Sequence, residues 1–107
     1  MSTEATISML VTTLPDEAHA VRMARQLIEA GEAACAQIEP IRSLYRWKGA
    51  VVDEPEWRLT IKLRHDRVAA VMQSVRALHP YEVPEIVSLN IARGDPAYVR
   101  WVAGDDQ

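Results

Sequence analysis

Two stretches of alternating polarity face each other across a Lys48-Gly49 pair: IRSLYRW at 41–47 and WRLTIKL at 57–63. A period of two belongs to a strand with one face covered, and it cannot serve a helix, whose faces repeat every third or fourth residue. Ile41, Ser43, Tyr45 and Trp47 share one side of the first arm, with Arg42, Leu44 and Arg46 on the other. In the second arm Trp57, Leu59, Ile61 and Leu63 alternate with Arg58, Thr60 and Lys62. Lys48-Gly49 supplies the turn. Pro40 and Pro55 interrupt the arms, and because proline cannot donate to a ladder, each marks an edge, a bulge or a bend. The chain is thereby committed to a long hairpin, expected to bend in the middle. Its tip, around Tyr45, Trp47, Val51 and Val52, extends past any helices that cover the base. A two-stranded ribbon is marginal by itself in water, and edges carrying exposed aromatics are templates for pairing. The expectation is that another copy of the chain covers the tip, the alternative being a hairpin folded back on its own helices.

The remaining segments build around this hairpin. Ile7, Met9 and Val11 alternate with Ser8, Leu10 and Thr12, which predicts a central first strand. A helix follows, with Thr13 or Asp16 at its N-cap and Gly31 as its stop, and with Ala18, Val21, Ala24 and Ile28 on its apolar face, flanked by Leu27. After the hairpin, Asp66 is expected to cap a second helix carrying Val68, Val71, Met72, Val75 and Leu78 as its stripe, ended by Pro80. EIVSLNI reads as the last strand, and Asp95-Pro96 opens a short terminal helix. The order β-α-β-β-α-β with an added helix is an α+β, ferredoxin-like arrangement: an antiparallel sheet with both main helices on one face, in a single domain spanning 1–107.

Of the 107 residues, 49% are apolar and 25% charged, with a formal net charge of -3. That balance argues against nucleic-acid binding, which needs a clustered positive field. A single cysteine excludes an intrachain disulfide. The apolar runs are too short to span a membrane, and the start of the chain lacks the segments of a signal peptide, so a cytoplasmic protein is expected.

The runs VTTLPDEA, EAAC, SLYRWKG, HPYEVPEI and GDPAYVRWV, in register over nearly the whole chain, resemble the CutA family of divalent-cation tolerance proteins. The resemblance implies a ferredoxin-like subunit that assembles into a tight homotrimer through its hairpins, with an architecture similar to the PII signalling proteins. It also implies a role in the response to copper and other divalent metals. Where a bacterial member places copper ligands on a first-strand cysteine and paired histidines, this chain carries Thr12, Leu78 and His79.

Cys35 and His79 are the candidate metal ligands, for copper or another divalent cation. A thiolate and a neutral imidazole suit such ions, while the plainer roles are an apolar core cysteine and a histidine closing a helix. Met9, Met23 and Met72 read as packing residues, and His19 and His65 as solvated. No C-x-x-C, H-x-x-x-H or H-E-x-x-H spacing occurs, so a strong metal site has to be assembled from distant segments or from two copies. The loop HPYEVPEI is expected to line an inter-subunit cleft through Tyr81 and Glu85, and Tyr45, Trp47 and Trp57 to form the trimer interface. No nucleophile elbow or glycine-rich phosphate loop appears, which points away from an enzyme. Two readings compete: a trimer that takes divalent cations weakly, and a signalling or scaffold trimer that binds a small molecule or partner protein in its clefts.

Overall fold

The computed structural model describes residues 6–104; the polar start and the last three residues lie outside that range. Strand β1 (Ile7–Leu14) is followed by helix α1 (Glu17–Glu29), then by β2 (Cys35–Trp47) and β3 (Ala50–Arg64). A 3₁₀ turn over His65–Arg67 leads into α2 (Val68–Leu78), and β4 (Ile86–Asn90) and α3 (Pro96–Ala103) complete the chain. The strands form one antiparallel sheet in the order β2-β3-β1-β4. This is the α+β, ferredoxin-like arrangement that the periodicities predict, with β1 central. No helix among the described residues is long and apolar enough to cross a membrane.

Register fixes which residues face the helices. Leu10 pairs with Ile61, Thr12 with Leu59 and Leu14 with Trp57, so these side chains share the covered face. Leu10, Leu14, Leu59, Ile61 and Leu63 are buried there beneath Ala20, Met23, Ala24 and Leu27 of α1 and Val71 and Val75 of α2. Each such leucine or isoleucine contributes on the order of 2 kcal/mol by leaving water. The opposite face carries Cys35, Lys62, Met9 and Leu89 in one row across the sheet, and Val11 beside Val87 in the next.

The hairpin is longer than the rest of the sheet. β1 pairs only with Trp57–Arg64, so β3 from Ala50 to Glu56 has β2 as its sole neighbour and projects by roughly 20 Å. The molecule is correspondingly elongated, 48 × 28 × 22 Å. Lys48 and Gly49 hold the tight turn at φ 49° and 83°, the left-handed values that a two-residue hairpin turn requires. Both prolines occupy edges. Pro40 lies on the edge strand β2, and Pro55 lies where β3 has outrun β1. The ladder passes both in unbroken register from Cys35–Lys62 to Trp47–Ala50, with no bulge.

Four details depart from the sequence expectations. α1 buries Ala20, Met23, Ala24 and Leu27, while Val21 and Ile28 are exposed and Ala18 faces solvent, so its inward face is turned away from the predicted one. Leu78 is 41% exposed, because the helix ends there and the chain turns extended at His79. Asp66 does not cap α2; its carboxylate accepts from Arg64 at 3.0 and 2.6 Å. His65 is not simply solvated, since its Nδ1 lies 2.9 Å from the hydroxyl of buried Ser8. The other caps agree: Asp16 accepts from the His19 amide, and Asp95 from the amides of Ala97 and Tyr98.

Candidate functional site: a cleft between the hairpin and the loop after α2

Pro80 ends α2, and the loop 79–85 bends through Tyr81, Glu82 and Val83 to the base of the projecting hairpin. His79 anchors it. Its Nδ1 accepts the Tyr81 amide at 3.2 Å, which leaves the ring proton on Nε2 to donate to the Thr13 carbonyl at 2.9 Å, with the Thr12 hydroxyl 3.0 Å away. Desolvation in this position holds His79 below the ordinary imidazole range, against the opposing pull of the Thr13 carbonyl and Glu56. The imidazole is therefore neutral near pH 7, with both ring nitrogens engaged.

Tyr81 extends from this anchor to the hairpin, where its hydroxyl donates to Glu56 Oε2 at 2.8 Å. Glu56 is only 6% exposed, and this is the one hydrogen bond its side chain makes among the described residues. Further out, the Tyr45 hydroxyl donates to Glu54 Oε1 in a second pair of the same kind. Burial, and then the Glu56 carboxylate, push the Tyr81 hydroxyl well above its usual range. The bond to Glu54 pushes Tyr45 up to about 12. Both phenols thus remain donors at any physiological pH.

The hairpin and loop enclose an open cleft of about 670 Å³ lined by Arg42, Tyr45, Trp47, Glu54, Glu56, Tyr81, Glu82 and Glu85, among others. Its one guanidinium, Arg42, is bound bidentately to Asp53 at 2.8 and 2.7 Å, which lowers the Asp53 carboxyl below its usual range.

The expected site residues fall into four places. Tyr81 and Glu85 lie together in the cleft, with Tyr45 and Trp47 on its hairpin wall. Trp57 sits apart from them, half-buried against the core beneath the helices. Cys35 is a free, half-buried thiol on the face of the sheet away from α1 and α2, near Tyr98 of α3, while His79 binds the far end of β1 from the helix side. Within one chain these two do not converge, and among the described residues no three of His, Cys, Asp and Glu gather closely enough to hold a metal ion. Glu54, Glu56 and Arg42 were missed as cleft residues. The available signal was a pair of glutamates sharing one side of an alternating strand with Tyr45 across the ladder.

Comparison with known proteins identifies the family and supports the fold. The family model for the CutA1 divalent ion tolerance protein matches residues 8–105. The chain is 41% identical to the divalent-cation tolerance protein CutA of Thermus thermophilus, over 88% of this chain and 92% of that one. It is 42% identical to a CutA homolog of Xenopus laevis, covering 90% of this chain but 64% of that longer relative. Among solved structures, CutA from Synechococcus elongatus superposes with a TM-score of 0.91 at 35% identity, covering 97% of this chain and 93% of that one. With the family pattern matched in sequence along nearly its whole length and in fold, the chain belongs to the CutA1 family of divalent ion tolerance proteins.

Proposed function

We propose that the protein takes part in the response to divalent cations as a homotrimer that seats a small ligand in a cleft at each junction between copies, with no enzymatic step of its own. The observation that carries this reading is the projecting ribbon. It exposes Leu44, Tyr45, Trp47 and Val51, has open edges on both strands, and forms one wall of a cleft whose other wall is the loop 79–85. A second copy laid against the ribbon removes that apolar surface from water and closes the cleft. The copy number of three is what the family resemblance implies. Native mass spectrometry of freshly isolated protein tests the reading: a trimer carrying an organic small molecule supports it, and a bare monomer overturns it.

The direct-metal reading, in which Cys35 and His79 act as separate weak donors for copper or another divalent cation, is supported by the free thiol of Cys35. His79 must first give up the Tyr81 amide or the Thr13 carbonyl. Calorimetric titration with copper and zinc on wild type, Cys35→Ser and His79→Ala separates the two donors; unchanged affinity in both variants removes this reading.

A further inference from the structure

We propose that the ligand class of this cleft is a small organic cation, an amine or quaternary ammonium, gripped between carboxylates and tyrosine faces. The inference rests on the reading of the cleft as a ligand seat and specifies its chemistry. Four carboxylates line the cleft, Glu54, Glu56, Glu82 and Glu85, and the lone guanidinium among the lining residues, Arg42, is already committed to Asp53. An anion entering such a space finds no unspent positive partner among the lining residues of one copy.

Glu56 is the most withdrawn of these four carboxylates. A carboxylate has about four acceptor positions, and this one, more than nine-tenths removed from solvent, receives one hydrogen bond, from Tyr81 to Oε2. Its remaining acceptor capacity borders the cleft. A carboxylate so withdrawn from water gains from a donor that carries charge. Tyr45 and Tyr81 add the rest. Each phenol donates its proton to a glutamate, which fixes the ring beside the carboxylate; both tyrosines line the cleft, Tyr81 with the His79 ring 5.0 Å from its own, and offer aromatic surface to an alkylammonium group. The molecule already makes one contact of this type, with the Lys48 ammonium 5.8 Å from the centre of the Trp47 ring.

The same features disfavour a bare metal ion. A small divalent cation needs several oxygens converging within about 2.6 Å, and no such trio gathers among the described residues. Carboxylates spread along a strand and a loop, with aromatic surface between them, match a cation whose charge sits on a carbon framework. At about 670 Å³ the cleft falls in the range of small-molecule sites.

Three probes of one shape and different charge test this: benzylamine, benzyl alcohol and benzoate, each titrated into the assembled protein at neutral pH and followed by NMR on the Tyr45 and Tyr81 rings. Benzylamine is expected to bind saturably and to weaken as salt rises, with the neutral and anionic probes at least tenfold weaker. Glu56→Gln, which keeps shape and one acceptor, is expected to reduce benzylamine affinity about tenfold or more. Glu54→Gln, on the solvated ribbon where folding is not at stake, reduces it by a smaller factor. Binding of benzyl alcohol or benzoate at the same rings with equal or higher affinity overturns the organic-cation inference while leaving the cleft a ligand seat. Benzylamine affinity unchanged in both glutamine variants overturns it in the same way. Absence of saturable binding by all three probes at these rings removes the inference together with the cleft reading.

Discussion

The two halves of strand β3 live in different solvents. From Leu59 to Leu63 every second residue is about 1% exposed, pressed under α1 and α2 with strands on both sides. From Ala50 to Glu56 the same strand has one neighbour, no helix above it, and cross-strand bonds such as Arg42–Asp53 and Tyr45–Glu54 in place of a core. The first half is held by what it excludes, the second by what it presents. The ribbon's surface is left to polar pairs and unburied aromatics, and exposed ion pairs contribute little to stability by themselves. On the function proposed above, stability and binding fall to opposite ends of one strand.

Four experiments break or sharpen that contrast, taken from the largest expected effect to the smallest. Trp47→Asp puts a charge where the tip is expected to meet another copy, and sedimentation should show the assembly fall to monomer while the far-ultraviolet circular dichroism of the base persists; an unchanged trimer removes the ribbon from the interface. Leu59→Ala empties the buried half and should cost about 3 kcal/mol in denaturant unfolding, as leucine truncations in tight cores do. Gly49→Ala forces a side chain into a φ of 83° and should cost about 1 kcal/mol, read from the same unfolding curve. The last is the smallest at neutral pH. Because His79 is held below its ordinary 6.5 in the fold, the unfolded chain binds the extra proton, so its contribution is complete above pH 6.5 and is lost as the pH falls through the lower folded value. Thermal midpoints should be flat near neutrality and decline in mild acid, and His79→Gln should remove that part of the decline.

The strands were readable from the sequence because their periodicity is local. Alternation over IRSLYRW and WRLTIKL specifies faces without reference to anything distant, and the caps at Asp16 and Asp95 act within one turn. The face of α1 was misread for a physical reason. Ala18, Ala20, Val21, Met23, Ala24, Leu27 and Ile28 surround much of the helix, and two stripes fit the period; bulk favoured Val21 and Ile28, whereas the sheet takes the stripe through Ala20 and Ala24, whose small side chains permit close approach. The loop 79–85 was legible as punctuation and as a place to look, but its chemistry was not. The bonds from His79 to Thr12 and Thr13 and from Tyr81 to Glu56 join residues far apart in the chain, and they exist because α2 docks over β1 beside the ribbon. The side of the strand that Glu56 takes was legible, but its burial was not, for the same reason: a glutamate after a proline in an alternating arm reads as solvated until the loop arrives to cover it.

The unbroken ladder from Cys35–Lys62 to Trp47–Ala50 sets the terms on which such a ribbon can change length. With no bulge to absorb an odd residue, an insertion or deletion in one arm alone inverts every side chain beyond it, turning Tyr45 away from Glu54 and Trp47 out of the cleft. Growth or shortening that preserves the pattern proceeds in both arms together and by twos, so the reach of the arm is quantised, and any relative that lengthens it moves its tip outward in fixed steps while the contents of the base stay in place.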